Sequence, residues 1–221
     1  MKKITIFSIS LFLVLFSLGV KAQVIDLKHI DNFEKTTQGK ITINKNLGVP
    51  SFIKFPANKP LDLNGSGLKE KTHFFLNSNK EIYPISNLNE SLDAGFIKTD
   101  NYGLKHYILK QYYKGVPVYD AELRFHFNKN EQLTAINGNT IPSITINSVP
   151  NISRSKANTI ALNFLKEQRI NYSGAPLKVI QNDLYIFPKG LVQGNTPTNY
   201  LTYRIEIRND VDVREYLFID A

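Results

Sequence analysis

Apolar and polar residues alternate with a period of two along three consecutive runs between Tyr102 and Gly138. In the first run, Ile108 shares a face with His106, Lys110 and Tyr112, and Leu109 shares the other with Tyr107, Gln111 and Tyr113. Aromatic side chains on both faces predict a central strand whose two sides are covered. Lys114-Gly115 predicts a tight turn, and Val116-Pro-Val118 leads out of it, with Pro117 at a position that needs no ladder N–H. From Glu122 to Phe127, Leu123, Phe125 and Phe127 face one way and Glu122, Arg124 and His126 the other, the pattern of a half-buried strand. Asn128 to Glu131 is a polar hairpin turn, a third strand begins at Leu133, and Asn137-Gly138 ends it.

The pattern elsewhere divides the chain. Residues 23–63 read as an N-terminal extension with edge strands: Ile41 to Asn44 alternates, and Val49 to Pro56 carries two prolines that confine it to an edge. Ser66 is an expected N-cap, after which Leu68, Thr72, Phe75 and Leu76 recur at helical spacing and predict a helix to about Asn79. Pro84 to Asp100 reads as a loop-rich connection. Thr140 to Asn151, with Pro142 and Pro150, reads as an extended linker. A second helix follows, capped by Ser153 or Ser155, with Ala157, Ile160, Ala161, Phe164 and Leu165 as its buried stripe. Strand-like runs then span Lys178–Ile180 with Leu184–Phe187, Tyr200–Ile207 and Glu215–Ile219, with Pro188 to Asn199 as a loop. Helix then strands, occurring twice, predicts an α+β protein of two subdomains, residues 64–139 and 152–221, each an antiparallel sheet packed against a helix.

Composition narrows the classes of function. The 221 residues are 42% hydrophobic and 11% aromatic, enough for a packed core. Residues 1–22 have the build of a secretory signal: Lys2-Lys3, an uncharged apolar run from Ile4 to Val20, and small residues ahead of a cleavage point between Ala22 and Gln23. The apolar run of about 17 residues is at the short limit for a retained membrane anchor, the competing reading. Cleavage makes the expected location secreted or periplasmic, with no stable membrane association. The formal charge of +8 falls to +5 on losing Lys2, Lys3 and Lys21, and the remaining charges are dispersed. A nucleic-acid partner, which needs a basic stripe interleaved with aromatics, is not expected. The absence of cysteine removes disulfides, thiol catalysis and zinc–thiolate sites.

Candidate chemistry is sparse. None of His29, His73, His106 and His126 sits in an H-E-x-x-H motif. His106 and His126 fall on neighbouring predicted strands. A metal there would want a third ligand, for which Glu122 is the candidate, and a strand-face histidine holding a hydrogen bond is the simpler reading. No G-x-S-x-G elbow is present. Asp210, Asp212 and Glu215 form a small acidic group that could gather calcium, but a solvated hairpin turn is the simpler account of them.

One motif carries more. His106-x4-Gln111-x-Tyr113-x-Gly115-Val116-Pro117-Val118, followed by the Glu122–Phe127 strand and Asn137-Gly138, resembles the fungalysin/thermolysin propeptide (FTP) domain. The chain departs from that pattern at Ile108, where such families carry Arg, and around Asp120, where they carry Gly. The helix from Ser153 to Gln168 and the strands after it are similar in order to a PepSY domain. The resemblance implies a propeptide region of a secreted thermolysin-like zinc metalloprotease, assisting folding of the catalytic domain and inhibiting it in cis or in trans. It implies no catalytic residue here, and zinc and calcium only in the catalytic domain. It makes His106, Gln111, Gly115, Val116, Pro117, Val118 and Gly138 the family-motif residues. Gln111, Tyr113, Lys114, Gly115 and Pro117, on the central hairpin, are the expected contacts with the protease. The alternative is a free-standing secreted FTP/PepSY inhibitor or binding module. The strand-like ending at Phe218 to Ala221 favours a chain that continues into the catalytic domain.

Overall fold

A computed structural model describes residues 25–221 apart from 84, 86, 94, 169–172 and 174, and apart from the side chains of 89 and 90. The expected signal segment and its cleavage point at Ala22 and Gln23 lie outside the described residues. The protein is α+β, with nine strands among the described residues. In chain order the elements are α1 (Leu27–Thr37), β1 (Lys40–Asn44), β2 (Val49–Lys54), α2 (Leu68–Ser78), the single-turn α3 (Leu88–Ser91), β3 (Phe96–Thr99), β4 (Lys105–Tyr113), β5 (Val116–Phe127), β6 (Leu133–Asn139), α4 (Arg154–Glu167), β7 (Lys178–Lys189), β8 (Thr198–Arg208) and β9 (Arg214–Asp220).

The three alternating runs form an antiparallel meander β4-β5-β6. Leu109 stands opposite Leu123, and Leu123 opposite Gly138. β3 pairs with the outer side of β4, and β2 and then β1 continue beyond β6. On the far side, β5 touches β7 in parallel at Val118–Ile186, and β7, β8 and β9 follow as an antiparallel meander. One strand, β5, therefore links a six-stranded sheet to a three-stranded one.

Two hydrophobic clusters lie along this sheet. The first gathers Phe75 and Leu76 of α2, Phe33 of α1, Leu109, Leu123, Phe125, Phe127, Leu133 and Ile136. Phe75 sits at its centre, with ring centroids 6.1 Å from Phe33, 5.9 Å from Phe125 and 6.4 Å from Tyr83, edge-on in each case. Edge-to-face rings gain stabilisation beyond the area they bury. The second gathers Ala157, Ala161 and Leu165 of α4 with Val116, Val118, Ile186, Tyr203, Ile205 and Ile207, and with Leu47 and Val49 from near the N-terminus. Residues 140–151 hold no strand or helix. Ile141 is buried among the second cluster, and Ile144 and Ile146 pack against it.

Several expectations change in the structure. β2 is not an edge strand: it pairs with β1 over its whole length and with β6 at Phe52 to Lys54. Pro50 is tolerated because it lies outside the β6 ladder and faces the bulge of β1 at Thr42/Ile43. α1 has a weak sequence signal because Phe33 is its only buried side chain, yet it is capped by the Asp26 carboxylate, which accepts from Lys28 N–H. The N-cap of α2 is Gly67 rather than Ser66; Ser66 donates its N–H and hydroxyl to Glu70 just ahead of it. Ser153 does cap α4, accepting from Lys156 N–H. Ile160 and Phe164 of α4 stand exposed, because Ala157 and Ala161 bring the helix close to the sheet and narrow the arc that can be covered.

Two glycines test this packing differently. Gly115 and Lys114 both have positive φ, 78° and 48°, as a two-residue hairpin closed by Tyr113 and Val116 requires. A Cβ at Gly115 would meet nothing within 4 Å. Gly138 has φ +118°, and a Cβ there would lie 2.0 Å from the Glu122 carbonyl oxygen. Gly115→Ala is therefore expected to cost roughly 1 kcal/mol, from backbone strain alone. Gly138→Ala is expected to cost roughly 3 kcal/mol, because strain adds to a backbone clash. Urea unfolding of the two variants measures both, and equal losses would contradict the close approach of β5 and β6.

Candidate functional site

The β4–β5 hairpin carries every family-motif and expected contact residue read from the sequence except Gly138, and the structure gives those residues different tasks. Val116 and Val118 point into the second hydrophobic cluster. Gln111 spends both ends of its amide on one residue of the connector: Nε2 donates to the Ile141 carbonyl at 2.8 Å, and Oε1 accepts from Ile141 N–H at 2.7 Å. The side chain acts there as a short piece of strand. Two residues on, the Tyr113 hydroxyl donates to the Ile146 carbonyl at 3.2 Å. Lys114 and Gly115 are exposed at the tip, with the Lys114 ammonium 5.1 Å from the centre of the Tyr113 ring. Pro117 is half-buried beside the groove between β4 and β8. Among the five expected contacts, Lys114 and Gly115 thus face solvent, while Gln111 and Tyr113 fasten the connector to the hairpin.

His106 and His126 stand directly opposite in the β4–β5 ladder, their Nδ1 atoms 2.7 Å apart. His106 Nε2 lies 3.3 Å from the Asp100 carboxylate, and His126 Nε2 lies 2.5 Å from Asn137 Oδ1. A single polar chain, Asp100–His106–His126–Asn137, so crosses from the β3–β4 turn to β6. With the Asn137 amide oriented oxygen toward the ring, His126 Nε2–H donates to it, His126 Nδ1 is bare, and the shared proton belongs to His106. Asp100 is partly desolvated, which works to raise its pKa. Hydrogen bonds from Leu104 N–H, Tyr102 N–H and His106 outweigh that and hold it below the usual carboxylate value.

Glu122, the ligand considered for a metal at this pair, is instead held by Arg124, whose Nε donates to it at 2.6 Å. Among the described residues no three His, Asp or Glu groups converge as metal ligands. The turn between β8 and β9 is organised by Asn209, whose side-chain oxygen accepts from the N–H groups of Val211, Asp212 and Val213. Asp212 accepts from Asn209 and Ser173, and Asp210 pairs with Arg208. These carboxylates are occupied within a solvated turn.

Sequence reading missed Asp100 and Asn137 as partners of the histidines. Asn137-Gly138 reads as a strand terminator, whereas β6 runs through it to Asn139. The usable signal was the outward face of β6, where Asn137 alternates with the buried Ile136. Asp120 was noted only as the place where the family pattern has Gly, and the structure gives the reason for that pattern, since Asp120 has φ +56°. Ile108, where the pattern has Arg, is buried.

The family model described as the Fungalysin/Thermolysin Propeptide Motif matches residues 97–140. That stretch runs from β3 to the end of β6 and contains the hairpin, the histidine pair and Gly138. The chain thus carries a propeptide motif, a non-catalytic module of protease precursors. It is consistent with the propeptide of a thermolysin-like protease.

Two expectations follow from this geometry. Burial lowers the proton affinity of His126 below its ordinary value of 6.5, the Asn137 hydrogen bond opposes this, and the charges of His106 and Arg124 add to it. A pKa depressed by folding means the neutral form is favoured in the folded state. The stabilisation is then complete above about pH 6.5 and is lost as pH falls through the window below it. Unfolding free energy is expected to drop between pH 7.5 and 5, and His126→Gln to flatten that slope; an unchanged slope would remove His126 as its source. Gln111→Ala strips both partners from buried Ile141 and is expected to cost roughly 1–3 kcal/mol. Limited proteolysis should then cut first within residues 140–151, whereas an unaltered cleavage pattern would count against the clamp.

Proposed function

We propose that this chain is the propeptide region of a secreted thermolysin-like zinc metalloprotease, serving as folding template and inhibitor of the catalytic domain. The observation that carries the reading is the propeptide-motif match over residues 97–140, which spans the strands whose Leu109, Leu123, Phe125, Phe127, Leu133 and Ile136 build the first hydrophobic cluster. In this reading α4 with β7, β8 and β9 is the PepSY-like second half. The catalytic domain supplies zinc and calcium, and the chain leaves the cell by its N-terminal signal.

A folding template must hold its own shape and offer groups that a half-formed partner can pair with. The interlocked aromatic core around Phe75 supplies the first requirement. β3 supplies the second: among the described residues it pairs with β4 alone, and Phe96 and Ile97 on it are 49% and 56% exposed. An extended segment of the protease could add to that edge through main-chain hydrogen bonds, with the apolar side chains giving selectivity. The hairpin tip at Lys114 and Gly115 is a second exposed contact. Binding of the folded protease in preference to its unfolded chain then favours the native protease by mass action. No helix among the described residues is long and apolar enough to cross a membrane.

The test is refolding of the H-E-x-x-H domain encoded nearest to this gene, with and without equimolar chain. The expected result is a several-fold gain in folded protease, whose peptidase activity stays suppressed until the chain is cleaved. Equal refolding yields together with full activity in the mixture would overturn the proposal.

A further inference from the structure

A groove of about 320 Å³ opens where the two sheets part. Its walls are Lys110 and Tyr112 of β4, the stretch Pro117 to Glu122 of β5, Tyr185 of β7 and Arg204 of β8. The groove exists because β5 leaves its partner there. Lys110 pairs with Glu122 and Tyr112 with Pro117, so a single residue of β4, Gln111, faces the four residues from Val118 to Ala121. Asp120, inside that bulge, holds φ +56°, a conformation that costs a non-glycine residue on the order of 1 kcal/mol.

Arg204 is the unusual group in this wall. Its guanidinium lies 4.4 Å from the centre of the Tyr216 ring and 5.9 Å from that of Tyr119. Tyr119 is itself fixed edge-on by Tyr185, Phe187 and Phe218. The aromatic rings thus pre-set the guanidinium before anything binds. No carboxylate lies within ion-pair distance of Arg204 among the described residues, and its Nε is buried without a hydrogen-bond partner. Asp183, directly across the ladder, accepts from the Gln181 amide instead, and Glu206, one step along the same face, accepts from Arg214. Of the charged groups lining the groove, Glu122 is neutralised by Arg124, which leaves Lys110 and Arg204 against Asp120.

We propose that this groove is a binding site for a carboxylate side chain carried by an extended segment of a partner protein, with Arg204 as the anchor. With Nε enclosed and no carboxylate of the chain on the guanidinium, the terminal nitrogens are the donors left for a ligand, and a carboxylate accepting from both of them uses the fork geometry that suits Arg. The rings of Tyr119 and Tyr185 cover the apolar part of the incoming side chain, and the ammonium of Lys110 adds attraction at the far end. The proposal does not depend on the propeptide reading, because its test uses the isolated chain.

The test is a titration of the ¹⁵N-labelled protein followed at its arginine Nε–Hε signals. The probes are the capped tripeptide Ac-Ala-Glu-Ala-NH₂ and its Gln counterpart. The Arg204 signal, identified by its loss in Arg204→Met, is expected to move saturably with the Glu peptide and roughly tenfold more weakly with the Gln peptide. Arg204→Lys keeps the charge without the fork; it is expected to weaken binding of the Glu peptide several-fold and stands in should the Met variant fail to fold. Equal response to the two peptides, or parallel movement of all the arginine signals, would overturn the site.

Discussion

Strand β5 has to satisfy two sheets and two cores within twelve residues, and most of the structure follows from how it does so. Before Asp120 its even-numbered residues Val116 and Val118 are buried; after it the odd-numbered Ala121, Leu123, Phe125 and Phe127 are buried. Side chains on a strand alternate strictly, so such a change of phase needs a bulge, and a bulge needs a residue that departs from extended geometry. Asp120 at φ +56° is that residue. The first half of β5 feeds the cluster under α4, and the second half from Leu123 feeds the cluster under α2. The same bulge frees β5 from β4, admits the contact with β7 and opens the groove in front of Arg204.

The two halves of the molecule are tied at further points by side chains that imitate backbone. Gln111 is the clearest case, giving a buried connector residue the donor and acceptor that a neighbouring strand would otherwise supply. Leu47 and Val49, from the turn and strand after β1, also pack into the second cluster. The connector at residues 140–151 is consequently a packed and hydrogen-bonded segment. The residues that make the propeptide motif recognisable therefore serve largely to hold β4, β5, β6 and this connector in register.

Function in this reading comes from surfaces. Three surfaces matter in it: the edge of β3, the hairpin tip and the groove at the parting of the sheets. Each offers a different kind of contact: main-chain pairing, a cationic loop, and a fixed guanidinium between aromatic rings. The histidine chain adds a sensitivity to acid within the ladder that supports these surfaces, since the two Nδ1 atoms can share only one proton.

The sequence by itself determined the local elements whose signal is carried within a few residues. The meander from β4 to β6, the hairpin at Lys114-Gly115, α2 with Leu68, Thr72, Phe75 and Leu76 buried, and the capped start of α4 were all legible, because alternation, turn chemistry and capping are short-range effects. That His106 and His126 lie on adjacent strands was legible too; that they stand opposite was not, because the turn alone would pair His106 with Leu123 and the bulge beyond Gln111 shifts the register by three residues. What only the tertiary structure decided depends on partners distant in the chain. α1 is held by one phenylalanine packed on Phe55 and Phe75. β2 lies inside the sheet because β6 covers it, and Ile160 and Phe164 face outward because two alanines seat α4 close to the sheet. Gln111 reads as a polar strand residue until Ile141 is placed beside it, thirty positions away. Arg204 reads as one charge among many until Tyr119 and Tyr216 flank it and the nearby acids turn to other partners. Periodicity reports which face of an element is apolar, whereas the identity of what covers that face is settled only when the whole chain competes for the same volume.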